Sequence, residues 1–341
     1  MKIKSLFFAL LLGMFVIQAY HVNGQEYSAD QFLGVWALDL DYESSNAGWM
    51  EIRQEDGYLD ASVLWQGGSV TPVEFVYTAE NHLMITRVVR EKDESGEPVR
   101  EHRQLFRYDL TKEGNDKVSG RGFIPNVNGL GVEVVSFTGK RIPPVPPAPD
   151  LGNLKFGKKV KLLNGKDLSG WELLEPKSVN GWKVTDGVLV NDPVQKEGEE
   201  HIHYGNLRTT ETFEDFNLKV EVNVPKGSNS GVYLRGIYEV QVMDSYGNPL
   251  DSHNMGALYS RIVPLVAAEK PAGEWQEMDI TLCKRHLTVI LNGKKIIDNQ
   301  PIKGVTGGAM TSDEFIPGPI YLQGDHGKVS YRNIVLTPIL D

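Results

Sequence analysis

Short apolar runs alternate with polar residues along the whole chain, and Gly, Asn and Asp separate them. Side chains on one face of a strand recur every second residue, whereas helical faces recur every third or fourth, and the helical pattern is nearly absent. The pattern therefore predicts an all-β protein. In the first half it predicts strands at 35–41, 49–54, 59–66, 73–77, 83–90, 103–110, 117–123 and 132–138. In the second half it predicts strands at 160–163, 182–185, 188–191, 216–224, 231–235, 238–243, 256–259, 274–282, 286–291, 320–323 and 329–336.

A proline-rich run, RIPPVPPAPD at 141–150, separates the two sets of strands. Proline cannot donate to a sheet ladder or continue a helix, so we expect a semi-rigid spacer there. We predict an N-terminal β-domain at 25–142, a linker at 143–154 and a second domain at 155–341. The even meander of the first domain suits a small barrel or sandwich, and Gly34-Val35-Trp36 resembles the start of the first lipocalin strand. A barrel with a buried tryptophan is favoured over a ligand carrier.

Eleven strands in the second domain predict two packed antiparallel sheets. Asn292-Gly293 lies between two of the predicted strand regions. Both residues tolerate positive φ, so the pair predicts a two-residue type I′ hairpin.

The N-terminus combines Lys2 and Lys4 with a short apolar run at 6–19, which predicts a signal peptide at 1–24. We therefore expect an exported protein, periplasmic or extracellular, and no later segment is apolar enough to span a bilayer. Cys283 is the single cysteine, so no intramolecular disulfide can form. A net charge of −10 without a basic cluster argues against nucleic acid as a partner, while neutral sugars remain compatible.

Several segments of the second domain follow one another in a family-like order. They are LNGKDLSGW at 163–171, WKVTDGVL at 182–189, LRT at 207–209, FEDF at 213–216, NSGVYLRG at 229–236, YEVQVMDS at 238–245, GALY at 256–259, PAGEW at 271–275, LNG at 291–293 and GPIYLQ at 318–323 with His326-Gly327. In order and spacing they resemble the 3-keto-disaccharide hydrolase family. The resemblance implies a concanavalin A-like jelly-roll sandwich that acts on sugars oxidised to a ketone at C3. An apolar stretch at 261–268 departs from the family pattern.

The longest family-like segment carries four polar side chains that strand alternation places together. Tyr233 and Arg235 share one face, and Glu239 and Gln241 share one face of the following run. We expect all four on a common, ligand-facing side of the sheet, whether Gly236 marks a hairpin or a kink. Without the resemblance, a solvated Arg235–Glu239 salt bridge would be the favoured interpretation.

The residues around Glu239 differ from those of an ordinary retaining glucanase. Such enzymes need two carboxylates flanking the bond, whereas the order here is Glu239-x-Gln241-x-x-Asp244. A C3 ketone acidifies the C2 hydrogen, so elimination of the C1 group and hydration need one base, one acid and an enolate stabiliser. We expect Glu239 to transfer a proton and Arg235 to bind or stabilise charge. A divalent cation could replace that stabiliser, and no cofactor is assigned from the sequence.

Two loop histidines, His253 and His326, could carry protons or bind metal together with Asp244 or Asp325, although each could equally be a plain loop residue. His201-x-His203 is interpreted as surface decoration, and Trp171 and Trp275 as core. The expected catalytic residues are Glu239, Arg235 and His326. The expected substrate-binding residues are Tyr233, Gln241, Asp244, His253 and Trp182.

Three functions remain open at this point. The first is an exported enzyme that cleaves 3-keto glycosides or 3-keto-disaccharides, with an oligosaccharide or glycoside as substrate. The alternative is a carbohydrate-binding module without chemistry, because this kind of fold hosts both. The third is a surface assembly protein that docks other exported glycan-degrading proteins.

Overall fold

The computed structural model describes residues 26–42, 46–92, 98–126, 128–196, 198 and 200–340. The described chain is nearly all β, with one short 3-10 helix at Leu151–Asn153, which confirms the predicted fold class. The predicted signal peptide at 1–24 lies outside the described residues. In the part of the chain that the structure describes, no helix has the length and apolar character needed to cross a bilayer.

The first half forms one nine-stranded antiparallel sheet in the order β4-β3-β2-β1-β9-β8-β7-β6-β5. Its strands are β1 Gly34–Leu40, β2 Ala47–Glu55, β3 Tyr58–Leu64, β4 Thr71–Pro72, β5 Phe75–Ala79, β6 His82–Lys92, β7 Pro98–Lys112, β8 Lys117–Pro125 and β9 Val132–Ile142. All eight predicted strands are confirmed, and β4 is additional. The first strand pairs with the last, so the meander curls into a barrel rather than a sandwich. Trp36 is buried inside it, as expected.

The second half is a sandwich of two sheets. Its strands are β10 Lys155–Phe156, β11 Val160–Lys161, β12 Trp171–Leu173, β13 Trp182–Thr185, β14 Val188–Asn191, β15 Leu207–Thr209, β16 Phe216–Asn223, β17 Asn229–Leu234, β18 Tyr238–Met243, β19 Trp275–Cys283, β20 His286–Leu291, β21 Lys294–Pro301, β22 Tyr321–Leu322 and β23 Val329–Leu340. One sheet runs β13-β14-β23-β16-β19-β20-β21, with β10 and β11 also pairing with β23, and the other runs β12-β15-β22-β17-β18. Apolar side chains of both sheets form a shared core.

Two local predictions in this half have different outcomes. The Asn292-Gly293 hairpin is confirmed, since both residues have positive φ (50° and 80°) between β20 and β21. The strand predicted at 256–259 is wrong. Gly256 has φ 78°, and the segment forms turns that run beside β18, where Tyr259 N–H donates to the Glu239 carbonyl.

The barrel packs directly against the sandwich. Trp49 belongs to the same apolar core cluster as the sandwich residues, and the Arg261 guanidinium lies 4.3 Å above its ring. The proline-rich run, expected to be a spacer, is hydrogen-bonded to the sandwich. Arg285 donates to the Pro143 carbonyl and Asn299 donates to the Pro149 carbonyl. Arg261 opens the apolar stretch at 261–268, so that departure from the family pattern begins at the contact between the two halves.

Gly304 of the sandwich packs against Trp49 of the barrel. Its φ is 96°, and an added Cβ would overlap the Trp49 indole nitrogen. We expect Gly304→Ala to destabilise the protein by about 1–3 kcal/mol more than Gly293→Ala, because overpacking adds to the cost of positive φ. Gly293 also has positive φ, but a Cβ there would meet nothing within 4 Å. Urea unfolding of both variants measures the difference, and equal losses would contradict the close packing.

Candidate active site

The β17–β18 hairpin carries the candidate site at one end of the five-stranded sheet. Val232 and Val240 point into the sandwich core, so their strand neighbours Tyr233 and Glu239 point to the opposite face. Tyr233 lies directly opposite Glu239 across the hairpin, and Gln241 is two residues further on the same face. The predicted common face therefore holds for these three residues.

Glu239 is buried on that face, with only 3% of its surface exposed. Its Oε2 lies 2.8 Å from the Tyr233 hydroxyl. The carboxyl extends over Gly231, where an added Cβ would overlap Glu239 Oε1. Burial raises the pKa of the Glu239 carboxyl to about 8, and the hydrogen bond with Tyr233 offsets only part of that rise.

The Tyr233 hydroxyl links Glu239 to the loop that precedes β22. It lies 2.8 Å from the carbonyl oxygen of Gly307 as well as 2.8 Å from Glu239 Oε2. A phenol has one proton and a carbonyl can only accept. Both contacts are satisfied when Tyr233 donates to Gly307 and a protonated Glu239 donates to Tyr233. This arrangement agrees with a carboxyl that keeps its proton at neutral pH.

Tyr321 fixes the position of Tyr233. The two rings stack with centroids 3.8 Å apart and planes 11° from parallel, and the Tyr321 hydroxyl donates to the Gly308 carbonyl at 2.9 Å. Gly308 has φ 78°, and a Cβ there would press on the Tyr233 hydroxyl. The loop at 307–308 therefore covers this face of the sheet.

The barrel reaches the back of the same loop. Gly307 packs so closely on the Gly68 backbone that a Cβ would overlap it. Next to this contact, Ser69 Oγ lies 2.8 Å from His253 Nε2, and His253 Nδ1 lies 2.5 Å from Asp251 Oδ1. His253, expected to bind substrate, therefore joins the sandwich to the barrel.

Arg235 does not share the face with Glu239, which corrects the prediction. β17 ends at Leu234, and Arg235 turns with φ 54°, so strand alternation stops before it. Its guanidinium is buried and donates to the carbonyls of Glu314 and Ile316. Arg235 therefore holds the segment at 314–316, and it forms no salt bridge with Glu239.

Trp182 is also corrected, because it lies in the core and is only 3% exposed. Its indole N–H donates to the Gly205 carbonyl at 2.8 Å, and its ring stacks on Tyr331. A ring in this position has no open face for a sugar.

The remaining candidates, Gln241, Asp244 and His326, lie in three different places. Gln241 is buried, and its Oε1 accepts from Val242 N–H. Asp244 closes the turn before β17 by accepting from Gly227 N–H. His326 is exposed in the turn after β22. Among the described residues, the group with metal-ligating geometry is His201, His203 and Asp325, which does not include Glu239.

Sequence reasoning missed Gly231, Tyr321 and the loop at 307–308. Gly231 and Tyr321 both lie in family-like segments, so the signal was available for them. The loop at 307–308 lies outside those segments and reaches the site only through the fold. A buried carboxyl whose hydrogen-bond partner is one tyrosine, and whose pKa is raised by burial, can donate a proton at neutral pH.

The family described as the 3-keto-alpha-glucoside-1,2-lyase-like domain matches residues 158–337. This match confirms the resemblance drawn from the sequence. No curated protein matches the chain.

Two crystal structures from Parabacteroides distasonis ATCC 8503, both described as candidate glycosyl hydrolases, are similar to this chain. The first is 31% identical, covers 58% of this chain and 93% of its own, and has a TM-score of 0.43. The second is 22% identical, covers 54% of this chain and 94% of its own, and has a TM-score of 0.44. Because the family match takes in residues 158–337 of the 341, more than half of the chain, the protein belongs to the carbohydrate-active family of 3-keto-alpha-glucoside-1,2-lyase-like domains.

Proposed function

We propose that this protein is an exported enzyme that cleaves 3-keto glycosides, with Glu239 as the acid. The observation that carries the proposal is the buried Glu239 carboxyl, whose pKa of about 8 keeps it protonated at neutral pH. Family membership supports a 3-keto sugar as the substrate class. The charged start and apolar run at 1–24 support export.

The reaction needs a proton to leave C2 and a group to leave C1. The C3 ketone acidifies C2–H, so a base can take that proton and leave an enolate. The C1–O bond then breaks as the C1=C2 double bond forms, and the departing oxygen takes a proton. Water adds to the unsaturated ketone to complete net hydrolysis.

Glu239 suits the second proton transfer. A carboxylic acid that is protonated at the working pH can give its proton to the departing oxygen, and Tyr233 orients the acid. His326 stays our candidate for the base, because it is exposed on the turn after β22, the strand that pairs with β17. Arg235 is left out of the chemistry, because backbone carbonyls occupy its guanidinium.

A chromogenic glucoside with a ketone at C3 tests this function against its unoxidised parent. We expect release of the chromophore from the keto form alone, since only the ketone acidifies C2–H. The measurement is the release rate with purified mature protein whose fold is checked by circular dichroism. Release from both forms would contradict elimination. Release from neither form, together with sugar binding in calorimetry, would favour the carbohydrate-binding module.

A further inference from the structure

Two histidines and one aspartate meet beside the turn that follows β22. His201 Nε2 lies 3.0 Å from Asp325 Oδ2, and His203 Nδ1 lies 3.6 Å from the same oxygen. The two imidazole rings are 4.9 Å apart and nearly perpendicular. Each residue offers one possible ligand atom, and these three atoms lie within 4.8 Å of one another. All three can therefore reach a single ion.

The turn that carries Asp325 is held by the surrounding sandwich. Tyr204 N–H donates to Asp325 Oδ1 at 2.9 Å, which leaves Oδ2 directed at the histidines. Gly324 N–H donates to Asn206 Oδ1 at 2.9 Å, and the Asn191 amide donates to the Gly324 carbonyl at 2.7 Å. Outer hydrogen bonds of this kind orient metal ligands.

The chemistry of the donors selects the class of ion. Two imidazole nitrogens with one carboxylate oxygen suit Zn²⁺ and its first-row neighbours, whereas Ca²⁺ and Mg²⁺ take oxygen sets. A simple histidine–aspartate ion pair would need one histidine only. His201 and His203 are both exposed, so three protein ligands would leave further coordination positions open to solvent.

We propose that His201, His203 and Asp325 bind one divalent first-row transition metal ion, of which Zn²⁺ is the representative case. The proposal differs from the interpretation of His201-x-His203 as surface decoration. The site is close in the fold to the candidate active site, because Gln323 N–H donates to the Gly231 carbonyl and Gly231 lies under the Glu239 carboxyl. The proposal rests on these three side chains and does not depend on the proposed sugar chemistry.

Calorimetric titration of metal-free, tag-free mature protein with Zn²⁺ tests the site. We expect one ion per chain. Asp325→Asn and His203→Ala should each weaken binding by about 100-fold or more, because loss of an outer partner alone costs 10–100-fold. Co²⁺ provides a second readout, since its visible absorption should appear in the wild type and disappear in His203→Ala.

His82→Ala is the matched control. His82 also pairs with an aspartate, at 2.6 Å from Asp109, but in the barrel and, among the residues that the structure describes, without a second histidine in a metal-binding group. This variant should bind Zn²⁺ as the wild type does. Wild-type protein that takes up no stoichiometric ion would overturn the proposal. A His203→Ala variant with unchanged affinity would do the same, and thermal melting of each variant verifies that the fold is intact.

Discussion

Glu239→Gln is expected to lower kcat on a 3-keto glycoside by about 10²–10⁴-fold, the usual contribution of one general acid. Glutamine keeps the shape of the side chain and can still hydrogen bond to Tyr233, but it has no acidic proton to transfer to the leaving group. Substrate contacts are preserved, so sugar affinity should stay close to that of the wild type. The measurements are steady-state kinetics for turnover and calorimetry for binding.

Glu314→Gln provides a control for the loss of a buried carboxyl as such. Glu314 is as buried as Glu239, and its carboxyl also has a tyrosine partner, the hydroxyl of Tyr238 at 2.7 Å. Glu314 is the first residue of the segment that Arg235 holds, and its carboxyl bonds to Tyr238, a core residue, and not to Tyr233. Glu314→Gln should leave kcat near the wild-type value. Wild-type turnover in Glu239→Gln would remove Glu239 from the chemistry, and loss of sugar binding in that variant would reassign it to recognition.

The strands were predictable because their signal is local. Alternation of apolar and polar residues placed Val232 and Val240 in the core and Tyr233 and Glu239 on the other face before any fold was known. The Asn292-Gly293 turn was predictable for the same reason, because φ preferences belong to the residues themselves.

The environment of the site was not predictable, because it depends on contacts between segments far apart in the chain. Nothing near Glu239 in sequence indicates that the loop at 307–308 covers the same face of the sheet, or that burial raises the pKa of Glu239. Alternation also failed at Arg235, since a single residue with φ 54° ends the strand and redirects the side chain. In both cases the missing information is the tertiary structure.

The contact between the two halves was not predictable from the sequence, for a related reason. The family resemblance covers the sandwich alone, and the proline-rich run indicated a spacer. In the structure the Pro143 and Pro149 carbonyls accept hydrogen bonds from the sandwich. Because Gly68 of the barrel backs the loop over Tyr233, the barrel is positioned to stabilise the candidate active site.

The same carboxyl should make stability depend on pH. The pKa of Glu239 is about 8 in the folded protein against 4.5 as its ordinary value. Between these values the folded chain holds a proton that the unfolded chain has released, so this group lowers the free energy of unfolding as pH rises. The loss begins near pH 4.5 and is complete above about pH 8.

Glu239→Gln should therefore be more stable than the wild type at high pH, because glutamine pays no cost of burying a charge. The gap in the free energy of unfolding should be small near pH 4.5 and should grow to roughly 4–5 kcal/mol above pH 8, since one pKa unit corresponds to 1.36 kcal/mol. Burial also raises the pKa of Glu314, but that contribution is present in both proteins and cancels in the difference. Urea unfolding of both proteins at intervals from pH 4.5 to pH 9 measures the gap. A gap that stays constant across this range would mean that Glu239 is ionised in the folded protein at neutral pH, and the proton for the leaving group would then have to come from elsewhere.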